Sequence, residues 1–142
     1  MNGNAELLNF VYQNAQMGVD TIKQLADIVE DSDMAAHLGK QYDEYKCILD
    51  SAKSLLNNGG YDEKGIGAFD KAKPYLMVNI QTLKDKSASH IAEMLIIGSN
   101  MGIIQAFRNR KKYRLAAPDI VELMKKLLDF EENNVRRLKA FL

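Results

Sequence analysis

Apolar and small residues recur every three or four positions between Glu6 and Glu30. Leu8, Val11, Ala15, Gly18, Ile22, Leu25 and Val29 form the series without a gap. That spacing is the seam of a helix in a bundle. Asn4 stands where an N-cap belongs, and Asp31-Ser-Asp33 breaks the pattern and offers a cap for the next helix. The second helix is predicted from about Met34 to Asn57. Leu38, Tyr42, Tyr45, Leu49, Ala52 and Leu56 lie on one face, with Gln41, Ile48 and Leu55 beside it. A phenol in a seam calls for a hydrogen-bond partner on a facing helix. Asn57-Asn58-Gly59-Gly60 is a helix stop.

The next segment is a weaker amphipath. Gly65 and Gly67 discourage an early start, Pro74 sits where a helix begins or bends, and the predicted helix runs from Ala68 to Lys86. Its apolar stripe is Phe69, Leu76, Ile80 and Leu83, widened by Tyr75, Met77 and Val78. Ser87 or Ser89 then caps a helix over Ile91 to Phe107, which is apolar nearly all round. Such a helix is expected to be surrounded by other helices. Glu93, Ser99, Asn100 and Gln105 interrupt it, and it falls short of the roughly 20 apolar residues that cross a bilayer. Gly98 and Gly102, four apart, share one face. They admit either a close neighbour or a small ligand.

Five basic residues follow between Arg108 and Arg114, as befits the negative end of a helix dipole. The last helix starts near Pro118 and runs to the C-terminus along Val121, Met124, Leu128, Glu131, Val135, Leu138 and Leu142. The carboxylate in that seam is costly unless paired or protonated. Two placements are open. In one, Glu131 belongs to a buried polar cluster with Tyr42 or Tyr45, and with Asn100, Gln105 or Arg108 near it. In the other, the seam rotates and Glu131 reaches solvent beside Asn134.

No strand pattern, repeat or linker intervenes, so the prediction is one all-α domain over residues 1–142. The 142 residues suffice for a core without metal or disulfides, and 46% hydrophobic with 27% charged residues is ordinary globular composition. Nineteen basic residues balance nineteen acidic ones. No global field therefore draws nucleic acid or an anionic membrane, and neither is an expected partner. The single Cys47 allows no internal disulfide and is expected to be a packed thiol. With no leader-like segment before the first helix, the expected location is cytoplasmic.

If the weak third helix lies in a crossover, the other four run up, down, down, up. In this order the chain resembles the ferritin-like superfamily, a four-helix bundle with a long connection between its second and third bundle helices. The segments SHIAEMLIIGSNMGI and FEENNVRRLKAFL also look like small bacterial proteins of this type that carry no assigned activity. The resemblance would imply a di-iron centre built from Glu and Glu-x-x-His. This sequence departs from it, offering Glu44-Tyr-Lys-Cys47, Glu131-Glu-Asn-Asn134 and Glu132-Asn-Asn-Val135 with no histidine in place. His37 and His90 lie elsewhere and are expected to be solvated or capping.

Neither a catalytic constellation nor a phosphate loop is present. The expectation is a non-enzymatic bundle without cofactor or metal, acting by self-association or on a protein partner. Met77, Val78 and Phe141 are candidates for the contact face. The alternative is a reduced metal or small-ligand site near Glu131 and Gly98 to Gly102. The candidate polar cluster is Tyr42, Tyr45, Asn100, Gln105 and Glu131.

Overall fold

A computed structural model describes residues 2–62 and 72–142, and the side chains of Ala72, Lys73, Pro74 and Val78 are left aside. It is all-helical among the described residues: α1 (Asn4–Ala26), α2 (Ser32–Asn58), α3 (Ala72–Gln81), α4 (Ala88–Lys112) and α5 (Pro118–Leu138), then a 3-10 turn at Lys139–Phe141. The expected start of the third helix at Ala68, its flanking Gly65 and Gly67 and its Phe69 fall outside the described residues, as does the side chain of Val78.

Local chemistry fixes the helix ends. The Asp31 carboxylate accepts from the Met34 N–H at 2.8 Å and the Ser87 hydroxyl from the His90 N–H at 3.2 Å. Each removes one orphan donor of a first turn. Asn4 is not the N-cap of α1. Gly3 is, in a left-handed conformation at φ 80°, and a Cβ there would stand 2.6 Å from the Tyr113 ring. Asn4 is the first helical residue, and its side chain accepts from the Ala117 N–H at 2.8 Å. The starts of α1 and α5 are thereby tied together. α1 stops at Ala26 rather than Glu30, which leaves Val29 beyond the helix. α3 stops at Gln81 rather than Lys86, where Asp85 turns to accept from the Ser87 N–H.

The most enclosed helix is α1, not α4. α1 touches all four other helices and lies most extensively along α2, while α4 packs on α5 and α3, and α2 on α5. α1 therefore hides polar residues as well as its seam: Asn9, Gln13, Asn14 and Thr21 are buried beside Leu7, Leu8, Val11 and Ala15. The glycines of α4 explain its different fate. Gly98 and Gly102 point inward with Ile91, Met94, Leu95 and Ala106, so the opposite arc carries Ile97, Ile104 and Phe107 to the surface. An apolar circumference does not guarantee burial when the smallest side chains occupy the inner face.

The structure corrects three further expectations. Cys47 is exposed, because α2 turns Tyr45, Ile48 and Leu49 inward and leaves position 47 outside that arc. Phe141 is half-buried, its ring 5.7 Å from that of His37, and Leu142 is the exposed terminal residue. His37 is partly enclosed rather than solvated, and burial, helped by Arg137 and Lys40, holds its imidazole below its ordinary pKa.

Candidate functional site

The α5 seam carries Glu131 into the core, where it is 2% exposed, with Asn134 buried one turn on. Rotation of the seam toward solvent is thereby excluded. From α2, the Tyr45 hydroxyl donates to Glu131 Oε1 at 2.8 Å. The phenol ring is held from two sides. Phe130 meets it edge-on with centroids 4.8 Å apart and planes at 84°, a geometry worth about 1 kcal/mol beyond its buried area. From α1, Gly18 also meets the ring: a Cβ there would lie 2.6 Å from three ring carbons of Tyr45. The glycine in the α1 seam is the space that the tyrosine fills.

Burial pushes the Glu131 carboxyl up from 4.5 to about 7, against the lowering effect of the Tyr45 and Ser99 hydroxyls. Burial likewise drives the Tyr45 phenol well above its ordinary value, assisted by the Glu131 charge. Tyr45 thus remains a donor at neutral pH, while Glu131 exchanges a proton there. Among the described residues the second carboxyl oxygen, Oε2, has no hydrogen-bond partner, and neither has Nδ2 of Asn14 nor Nδ2 of Asn134.

Glu131 and Asn14 line one pocket between the helices, in which the centre of a water molecule could range over about 30 Å³. All five helices contribute, through Asn14 and Thr21, Gln41 and Tyr45, Leu76, Ser99 and Gly102, and Glu131. The space suffices for one or two waters, each of which needs several polar partners. The two glycines of α4 divide their roles here. A Cβ on Gly98 would press to 2.9 Å on Leu76, so that glycine admits α3. At Gly102 a Cβ would be in ordinary contact, 3.5 Å from Asn14 Nδ2, so that glycine leaves room.

Of the five residues of the sequence-predicted cluster, the structure brings two together, Tyr45 and Glu131. Tyr42 is half-buried at the edge of the apolar core. Asn100 is exposed, since it lies on the arc opposite Gly102. Gln105 is half-buried, and its carbonyl accepts from the Asn109 side chain at 2.8 Å. Arg108 is exposed. Near Tyr45 and Glu131 stand instead Asn14, Gln41 and Asn134, which sequence reasoning missed, and Ser99, which lies in the Gly98 to Gly102 stretch of the alternative small-ligand site. Ser99 follows Gly98 on the inner side of α4, and that adjacency was the available signal. Asn14 and Gln41 carried none, because each sits beside an apolar seam that would be complete without it.

Among the described residues no three His, Cys, Asp or Glu side chains gather as metal ligands, and no helix is long and apolar enough to cross a membrane. The second feature with functional bearing is the outer face of α4. Ile97, Ile104 and Phe107 are 37%, 51% and 50% exposed, and Met77 of α3 is exposed as well. Compared with known proteins, the chain matches no family model, no curated protein and no solved structure.

Proposed function

We propose that the protein is a non-catalytic helical bundle that acts by self-association through the outer face of α4. The observation that carries this reading is the exposure of Ile97, Ile104 and Phe107 on one helix. A water-facing row of large apolar side chains gains free energy when a second surface covers it. Four long helices, α1, α2, α4 and α5, with the short α3 in the connection between the two pairs, support a ferritin-like arrangement of the up-down-down-up kind. The expected location is the cytoplasm.

A second reading is favoured by one specific observation. Glu131 and Asn14 line the same pocket, and among the described residues Glu131 Oε2 and Asn14 Nδ2 have no partner, so a small polar guest would suit both. Such a site suits a neutral hydrogen-bonding molecule of a few atoms better than a metal ion, given one carboxyl that is half-protonated near pH 7.

Sedimentation velocity over a wide concentration range, with reductant present to keep Cys47 a thiol, tests the first reading. A sedimentation coefficient that climbs with concentration is expected. A constant monomer value would dismiss it.

A further inference from the structure

We infer that two copies of this chain pair through α4 in an antiparallel, two-fold arrangement whose axis passes beside residue 102. This rests on the self-association reading and specifies its face, orientation and register.

Six exposed residues of α4 follow one another at intervals of four and three: Glu93, Ile97, Asn100, Ile104, Phe107 and Lys111. At 100° per residue they fall within about 80° of the helix circumference, opposite Gly98 and Gly102. The alternation is that of a coiled-coil seam, and it faces outward. The half-buried Ile96, Met101 and Ile103 flank it, so the apolar strip is wider than its centre line.

The ends of the row carry opposite charge. Glu93 stands at the N-terminal end and Lys111 at the C-terminal end, and among the described residues neither takes part in a salt bridge within the chain. A parallel pair would set Glu93 against Glu93 and Lys111 against Lys111. An antiparallel pair sets Glu93 against Lys111 of the second copy, twice, and places the opposite ends of the two helix dipoles side by side. The same register sets Ile97 against Phe107 and Asn100 against Ile104. Every position of the row then has a partner, and the contact is isologous, so it closes at two copies.

The row spans about 27 Å of helix. A single helix pair of that length buries less than the roughly 1,200 Å² of a permanent interface, so the dimer exchanges with monomer. The exposed Asn100, set against Ile104 in this register, weakens the seam further.

The test is sedimentation equilibrium on the full chain and four variants: Ile104→Glu, Glu93→Lys, Lys111→Glu and the double variant E93K/K111E. All these positions are exposed, so circular dichroism should be unchanged. Ile104→Glu is expected to abolish the dimer. Each single charge reversal should raise Kd about tenfold, and the double variant should return it to within about threefold of the parent. Single reversals that weaken the dimer with no recovery in the double variant would overturn the register while leaving self-association standing. A dimer indifferent to Ile104→Glu would overturn the α4 face. A parent chain that stays monomeric, or that instead sediments with anionic phosphatidylserine vesicles, would overturn both the pairing and the reading beneath it.

Discussion

The Tyr45 hydroxyl and the Glu131 carboxyl meet at 2.8 Å across 86 residues of sequence, and the ring that makes the contact fits because residue 18 has no side chain. Three helices are thereby keyed to one another: α1 by an absence, α2 by a donor and α5 by an acceptor. A polar contact of this kind fixes which rotation of each helix faces the centre, a role buried polar groups play in some bundles.

Tyr45→Phe removes the hydrogen bond donated to Glu131 Oε1 while keeping the ring and its edge-on contact with Phe130. A buried acceptor left without its donor costs about 1–3 kcal/mol. Urea titration should show a loss of that size. An unchanged midpoint would mean that another group replaces the phenol.

Stability should also follow the titration of Glu131. Its folded-state pKa is raised from 4.5 to about 7. Between those values the folded chain holds a proton that the unfolded chain has released, so protons favour folding. The contribution is fully present below the unfolded value and is lost as pH climbs through the folded one, a swing of about 3 kcal/mol. Glu131→Gln, neutral throughout, should flatten this dependence between about pH 4.5 and 7. Equal slopes in parent and variant would place the titrating group elsewhere.

Three glycines should respond differently to alanine. Gly18→Ala drives a methyl into the Tyr45 ring and should cost about 1–3 kcal/mol despite the better helix former. Gly98→Ala meets the flexible end of Leu76 and should fall between the extremes. Gly102→Ala meets only ordinary contact and should gain up to about 1 kcal/mol from helix propensity. Thermal melts rank the three. A destabilised Gly102→Ala would show that the space beside Asn14 is occupied by an ordered guest.

Metal removal is a further check on the interior. With a single carboxyl in the cavity and no ligand triad among the described residues, treatment with chelator should leave the melting temperature unchanged. A drop that added iron, manganese or zinc reverses would make Glu131 a metal ligand.

The Tyr45–Glu131 contact was legible because both residues break an otherwise apolar seam, and two breaks facing one core call for each other. Asn100 lies outside the cluster because polarity within an apolar helix does not by itself fix an inward position. The phase of α4 is set by Gly98 and Gly102, which put Asn100 on the opposite arc and Ser99 near the carboxyl. The central place of α1 was hidden for the converse reason. Asn9, Gln13, Asn14 and Thr21 lie outside the apolar seam, yet a helix that contacts all four others buries them too. Periodicity reports which residues share a side, and only the packing of neighbours decides how many sides are covered.

The most direct measurement of the central claim is electron spin resonance on single labels placed at Asn100→Cys or Arg108→Cys in a Cys47→Ser background. About a two-fold axis beside residue 102, labels at 100 are offset along the helix by about 6 Å and labels at 108 by about 18 Å. Self-association through α4 predicts coupling between copies at both positions in concentrated protein, stronger at 100, and its disappearance on dilution. No coupling between copies at any concentration would contradict it.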